Sequence, residues 1–156
     1  MDPRFRIREL APGDIDGVMA IEAVSFPTPW SAGMFRDEIG RDFSDALVAV
    51  EEPGAGVLGY AVCWTVAGES HLLNIAVRPD ARCRGVGAAL LRECIRRSAA
   101  AGARRMHLEV RPANEPALRL YRRYGFVFQG IRKGYYTDTL EDAVLLSREI
   151  RDDDAS

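Results

Sequence analysis

The sequence predicts a single α/β domain built on a mixed, mostly antiparallel, twisted sheet flanked by helices. First, the 156-residue chain is 47% hydrophobic, enough for one ordinary globular core. Second, two helix-like segments precede three strand-like segments. Third, a strand, a helix and another strand then follow, and a unit of this length favours a parallel, right-handed crossover. We expect residues 1–150 to form the domain and residues 151–156 a frayed acidic tail.

The N-terminal part of the chain is predicted to form a strand followed by a helix, from the spacing of its apolar residues. Residues 4–10 alternate between polar and apolar side chains, as in a strand, and residues 14–24 carry apolar side chains at helical spacing. Ser31 is a candidate N-cap for a second helix. Trp30, just before it, is placed to pack against Phe35 in the first turns of that helix.

The remaining elements follow from the same periods and from the glycine and proline residues between them. The first three of the remaining strands should form an antiparallel meander. We expect strands at 46–50, 57–66, 71–77, 105–110, 126–132 and 142–149, and helices at 86–101 and 114–124.

Composition argues against several functional classes. The formal net charge of −2 argues against a general nucleic-acid binder, because affinity for a phosphate backbone normally requires a basic surface. Three cysteines without C-x-x-C spacing indicate neither a disulfide framework nor a zinc site, so no metal is expected and a reducing cytoplasm fits best. The N-terminus has no signal-like apolar region, and no stretch approaches the ~20 apolar residues of a membrane span.

Residues 82–88 form a candidate anion cradle between a strand and a helix. Gly85 and Gly87 allow a tight turn, so that backbone N–H groups and the positive end of the next helix can face a pyrophosphate. Arg82 and Arg84 would add charge at its rim. A dinucleotide fingerprint fits poorly, because seven residues separate Gly85 from the preceding strand and Leu90 is too large for its third glycine position. A P-loop is excluded, since Ala88 stands where lysine is required.

The element order and several motifs resemble the GNAT superfamily of acetyl-CoA-dependent N-acetyltransferases over nearly the whole chain. The central motif is [Q/R]-x-x-G-x-[G/A], present as Arg82-x-x-Gly85-x-Gly87. Taken together, the other motifs closely resemble those of RimI-type ribosomal-protein alanine N-acetyltransferases. They are the segments 26–31 (FPTPWS), 74–79 (NIAVRP), 108–111 (LEVR), Asn114, 117–121 (ALRLY), Gly125-Phe126 and Tyr135-Tyr136.

This resemblance implies a role for each matching residue. Glu109 would be the general base, acting directly or through a water, and Tyr121 the general acid. The acceptor peptide would bind beside Phe26, Trp30, Tyr135 and Tyr136. Acetyl-CoA would lie between the strands that end near Val77 and Val110, with Asn114 near its thiol. Its remaining contacts would come from Ile75, Ala76, Val77, Arg82, Cys83, Arg84, Gly85, Val86, Gly87 and Ala88.

The implied activity is transfer of an acetyl group to the N-terminal α-amine of a protein, specifically the N-terminal alanine of a small-subunit ribosomal protein. The implied partners include neither nucleic acid nor membrane. Alternatives are a lysine or small-molecule amine acetyltransferase and a non-catalytic acyl-CoA sensor. From spacing alone, Glu109 could lie on a solvated strand face, Tyr121 could be a core aromatic, and Asn114 could serve only as an N-cap.

Overall fold

The computed structural model describes residues 4–54 and 56–156, and its centre is a seven-stranded sheet. The strand order is β1-β2-β3-β4-β5-β7-β6. Among these residues only the β4–β5 pairing is parallel; the other five pairings are antiparallel, which confirms the predicted mixed sheet and the meander. The strands are β1 (Phe5–Glu9), β2 (Ser44–Glu51), β3 (Val57–Val66), β4 (Glu69–Val77), β5 (Arg105–Val110), β6 (Val127–Tyr136) and β7 (Glu141–Glu149).

Two helices cover each face of the sheet. The helices are α1 (Ile15–Ser25), α2 (Ala32–Glu38), α3 (Val86–Ala100) and α4 (Glu115–Arg123). Apolar side chains of α1 and α2 pack against β2 and β3 in one cluster. Those of α3 and α4 pack against the opposite face in a larger cluster, which includes Met106, Leu108 and Val110 of β5. Since side chains alternate along a strand, Glu109 faces away from that larger cluster.

The pairing between β4 and β5 is short, and the candidate site lies where the two strands separate. It consists of three residue pairs and ends at His71 and His107. Beyond that point β4 continues along β3 and β5 along β7, so the two strands separate. A β-bulge marks the same place on β4: Cys63 pairs with Leu72 and Val62 with Asn74, which leaves Leu73 as the extra residue.

Two local predictions at the start of α2 are confirmed. The Ser31 hydroxyl accepts a hydrogen bond from the Met34 N–H at 3.1 Å, as an N-cap should. The rings of Trp30 and Phe35 lie 5.1 Å apart, centroid to centroid. Their contact fixes the path along which the chain enters the helix.

The C-terminus differs from the expected frayed tail. Asp152–Ala155 form a 3-10 turn that packs against α3. The Asp154 carboxylate accepts hydrogen bonds from the Arg151 N–H and from the Arg148 guanidinium, both at 2.8 Å. The contacts of Asp154 with Arg148 and with the Arg151 backbone therefore hold a segment that, from composition alone, was expected to be frayed. In the part of the chain that the structure describes, no helix has the length and apolarity to span a bilayer.

Candidate active site

A cavity of about 450 Å³ lies where β4 and β5 separate. It is lined by the bulged part of β4, the end of β5, α4, the segment between α1 and α2, and the turn after β6. Residues distant in sequence and predicted for the site meet here: Phe26, Trp30, Ile75, Glu109, Asn114, Tyr121, Tyr135 and Tyr136. The structure thus brings the candidate base, the candidate acid and all four candidate acceptor residues to one cavity.

Glu109 is held by two side chains, one from the adjacent strand β4 and one from β6, which lies beyond β7. The Nε2 atom of His71 lies 2.8 and 2.9 Å from its two carboxylate oxygens. The Tyr135 hydroxyl donates a hydrogen bond to Oε1 at 2.9 Å. His71 belongs to the last β4–β5 pair, so the separation of the two strands, here called the split, begins just beyond this contact. These interactions orient the carboxylate while its side chain remains 17% exposed.

The electrostatics of the site keep Glu109 ionised. Burial, the largest single influence, acts to raise the pKa of its carboxyl, whereas the hydrogen bond and charge of His71 act to lower it. The Tyr135 hydroxyl and the charge of Arg132 act in the same direction as His71. The net result is a pKa below the usual range for glutamate. At neutral pH the side chain can therefore accept a proton.

Tyr121 approaches the same cavity from the other side of the sheet. It belongs to the apolar cluster of α3 and α4, and its ring stands edge-on to Phe126 with centroids 5.7 Å apart. Burial is the main reason that the pKa of Tyr121 lies far above the usual value for tyrosine, and nearby Tyr136 adds to the effect. The hydroxyl is accordingly protonated at neutral pH and can act as a donor.

The turn before α3 has the backbone shape expected of an anion cradle. Gly85, the N-cap residue, has φ of +81°, and Cys83 has φ of +64°. Ala89 donates to the Gly85 carbonyl at 3.0 Å, so the N–H groups of Val86, Gly87 and Ala88 precede the helical ladder. Within residues 4–54 and 56–156, no side chain caps this helix end. These donors and the positive end of the helix fit a diphosphate.

The last part of β4 has a backbone edge, here called the free edge, that pairs with no second strand among the described residues. Ile75, Ala76 and Val77 pair with β3 on one side, and the β4–β5 ladder has already ended on the other. Alternate N–H and C=O groups therefore face the split. Ile75 lines the cavity, whereas Ala76 and Val77 continue towards α3. This edge is suited to the amide-containing arm of acetyl-CoA.

Close helix packing beneath that edge depends on Gly59, which the sequence did not single out. A Cβ at this position would meet the Ala76 carbonyl oxygen at 2.9 Å and side-chain atoms of Val86 and Leu90 at 3.1 and 3.2 Å. The absence of a side chain thus lets α3 lie close to β3 and β4. This places the first turn of α3 beside the end of the split.

The Asn114 side chain both caps a helix and lines the cavity. Its side chain accepts a hydrogen bond from the Ala117 N–H at 3.3 Å and so caps α4, as the residues alone predict. It also lines the cavity. By contrast, residues 82–88 lie outside this cavity, at the start of α3, and the Cys83 thiol is exposed.

One wall of the cavity is held together by contacts that the sequence did not indicate. Thr28 donates a hydrogen bond to Asp138 at 3.0 Å, which joins the α1–α2 segment to the turn after β6. Arg111 binds Asp138 and Glu141, and its guanidinium lies 3.9 Å from the centroid of the Tyr136 ring. Arg111 therefore fixes the wall that carries one of the predicted acceptor residues.

Comparisons with known proteins agree with this geometry. The model of the Acetyltransferase (GNAT) family matches residues 15–126. A relative from Escherichia coli (strain K12), named [ribosomal protein bS18]-alanine N-acetyltransferase, is 32% identical over 146 residues, covering 92% of this chain and 97% of the relative. A relative from Bacillus subtilis (strain 168), which bears that name provisionally, is 36% identical over 146 residues, covering 94% and 96%.

Solved structures extend the similarity to three dimensions. The ribosomal-protein-S18-alanine N-acetyltransferase of Escherichia coli aligns with a TM-score of 0.82 and 31% identity over 94% of both chains. A phosphinothricin acetyltransferase from Sinorhizobium meliloti, solved in complex with AcCoA, aligns with a TM-score of 0.78 and 25% identity, covering 94% of this chain and 89% of the other. The protein is therefore an acetyltransferase and a member of the GNAT family.

Proposed function

We propose that this protein transfers the acetyl group of acetyl-CoA to the N-terminal α-amine of another protein, in a ternary complex and without an acyl-enzyme. The proposed acceptor is the N-terminal alanine of a small-subunit ribosomal protein, by analogy with the activity named for the Escherichia coli relative. Such an acceptor would be met in the cytoplasm.

One observation gives the main support for the proposed chemistry. An ionised carboxylate, Glu109, and a protonated hydroxyl, Tyr121, line a single cavity from opposite faces of the sheet. The split between β4 and β5 connects the two faces. Amide formation from a thioester requires both functions: a group that takes a proton from the amine and a group that gives one to the departing sulfur.

Glu109 performs the first proton transfer in this proposal. An α-amine has a reference pKa of about 8 and is mostly protonated at neutral pH, so it must lose a proton before its nitrogen can attack. Glu109 accepts that proton directly or through a water, and its hydrogen bonds to His71 and Tyr135 fix its direction. His71 is thereby a positioning residue, because it acts on Glu109 and on no reacting atom.

Acetyl-CoA supplies the thioester carbon at which the new C–N bond forms. Backbone N–H groups on the free edge of Ile75 to Val77 would stabilise the negative charge that develops on the carbonyl oxygen. As the C–S bond breaks, the electron pair remains on sulfur. The Tyr121 hydroxyl then donates its proton to that sulfur, and the extra proton that remains on the attacking nitrogen returns to the Tyr121 oxygen through solvent, so the products are a neutral amide and a free thiol.

The test is intact-mass analysis of two peptides incubated with the protein and acetyl-CoA. One has a free N-terminal alanine and no lysine, and the other has a blocked N-terminus and an internal lysine. We expect one added acetyl group on the first peptide alone. Acetylation of the second alone would instead show a lysine acetyltransferase. If neither is modified while acetyl-CoA binds, the acceptor is a small-molecule amine.

A further inference from the structure

Glu22 is a buried carboxylate for which the proposed chemistry has no use. It lies in α1, is 1% exposed, and reaches the wall of the active-site cavity. A carboxylate is seldom buried this completely unless donors satisfy it, because the loss of its hydration is unfavourable. The three donors around Glu22 show what this burial achieves.

Each donor comes from a different part of the fold, and all three are neutral. The Trp30 backbone N–H donates to Oε2 at 2.8 Å. The Asn74 side-chain amide donates to Oε1 at 2.9 Å, and the Tyr60 hydroxyl donates to the same oxygen. Glu22 therefore joins the segment between α1 and α2 to β3 and β4.

The ring of Trp30 is also held in place, through a series of aromatic contacts that ends at Glu22. Trp30 packs on Phe35, and Phe35 packs edge-on against Tyr60 with centroids 5.5 Å apart. Tyr60 then donates to Glu22. Both the backbone and the ring of Trp30 are thus fixed relative to Asn74, the residue that precedes Ile75 on the free edge of β4.

We infer that Glu22 is a positioning residue that holds the acceptor-binding segment 26–31 against the strand that presents the acetyl donor. This inference rests on the proposed function, because it requires Phe26 and Trp30 to bind the acceptor. Glu22 touches no reacting atom. Its replacement should weaken acceptor binding and leave the chemical step and acetyl-CoA binding nearly unchanged.

Glu22→Gln is the informative substitution, because it keeps the shape of the side chain and changes one acceptor into a donor. A carboxamide turned one way presents its NH₂ group to the Trp30 N–H. Turned the other way, it presents NH₂ to Asn74 and Tyr60. The first orientation leaves the Trp30 N–H facing a donor, and the second is satisfied only if the Asn74 amide turns over and the Tyr60 hydroxyl becomes an acceptor. We therefore expect KM for the alanine peptide to rise about tenfold or more.

Glu38→Gln is the matched control. Glu38 is also a buried carboxylate at 5% exposure, and it accepts hydrogen bonds from Arg41, Ser44 and Trp64. It lies in α2 and does not line the active-site cavity. We expect Glu38→Gln to lower stability while leaving the KM values for peptide and acetyl-CoA within twofold of the wild type.

The kinetic experiment measures kcat, peptide KM and acetyl-CoA affinity for the wild type and both variants. A rise in peptide KM confined to Glu22→Gln, with kcat and acetyl-CoA affinity within twofold, supports the inference. An unchanged peptide KM would overturn it, as would a loss confined to kcat. Tyr60→Phe removes one of the three donors and should produce a smaller shift in the same direction, which keeps the test available if Glu22→Gln fails to fold.

A second measurement separates this inference from the proposed function. The chain has two tryptophans, so in a Trp64→Phe background the fluorescence reports Trp30 alone. Glu22→Gln should make Trp30 more accessible to acrylamide quenching, whatever the acceptor is. Unchanged quenching would refute the positioning role. Absence of peptide acetylation by the wild type, with increased quenching in the variant, would refute only the assigned acceptor.

Discussion

Glu109 is ionised because of its neighbours, and the same neighbours make it a weak base. His71 and Tyr135 hold its pKa below the usual range, against the effect of burial. The cost of moving a proton from an α-amine to this carboxylate grows as its pKa falls, by about 1.4 kcal/mol per pKa unit.

Glu109→Gln should lower kcat by a factor of about 10²–10⁴, the usual contribution of a general base. Since the pKa of Glu109 is lowered, the carboxylate is already ionised at pH 6, and the ratio of variant to wild-type activity should stay nearly constant from pH 6 to pH 9. Affinity for acetyl-CoA should hardly change. Steady-state kinetics across this pH range, with calorimetry for acetyl-CoA binding, provides the measurement.

Glu69→Gln is the control for this variant. Glu69 makes the corresponding contact with His107, at 3.3 Å, between the same two strands, but it lies outside the active-site cavity. Its replacement should leave kcat unchanged. Full activity of Glu109→Gln, or an equal loss in both variants, would contradict the assignment of the base.

The sequence could predict the identity of the site residues better than their contacts. Strand alternation places Glu109 on one face, and family resemblance gives Glu109 and Tyr121 their roles. The contact between His71 and Glu109 depends on the register of two strands that are 38 residues apart, which no local pattern encodes. Glu22 was missed because a glutamate in an amphipathic helix normally faces solvent.

Among the elements, α3 carries the proposed diphosphate site at its N-terminal end. A residue with positive φ stands just outside each end of the helix, Gly85 at +81° and Gly102 at +86°. A Cβ added at either position would meet no other atom within 4 Å. The two glycines therefore impose the same backbone requirement, while only Gly85 faces the proposed diphosphate.

Gly85→Ala and Gly102→Ala should therefore have similar effects on stability and different effects on binding. We expect each to lower the free energy of unfolding by about 1–2 kcal/mol, because a Cβ disfavours positive φ. Only Gly85→Ala should weaken acetyl-CoA binding, by about tenfold, since relaxing the turn redirects its N–H groups. Chemical denaturation and calorimetry test this, and equal binding losses in both variants would count against the cradle.

The helices and strands could be predicted because the apolar residues of each segment follow a helical or strand period and turn residues separate the segments. The seven strands and four helices of the described residues lie close to their expected places. What the sequence did not predict is where pairing stops. The early end of the β4–β5 ladder and the bulge at Leu73 are features of register, and β6 continues to Tyr136 because it pairs with β7 through two irregularities.

At the scale of the molecule, the C-terminal turn completes the domain. Asp154 binds Arg148, and Arg148 also donates to the Tyr124 carbonyl at the end of α4, at 3.0 Å. The last residues thus support the helix that carries Tyr121. Ile150 before them is buried and belongs to the core.

Deleting residues 152–156 should lower the melting temperature by a few degrees. The ion pair that is lost is partly exposed, at 17% and 22%, and such a pair contributes about 1 kcal/mol or less. Peptide and acetyl-CoA KM should remain within twofold. Thermal denaturation of the deletion variant, compared with Asp154→Asn, separates the ion pair from the packing of the turn on α3; an unchanged melting temperature would contradict the supporting role.

The separation of β4 from β5 also bears on the order of events in a catalytic cycle. If acetyl-CoA and the acceptor enter the active site from opposite faces of the sheet, neither obstructs the other's path of entry or exit. Acetylated product could then depart while the spent thiol is still in place, or the reverse, without a large closure or reopening of the domain. Product-inhibition patterns with both products should accordingly show no sterically imposed sequence of release.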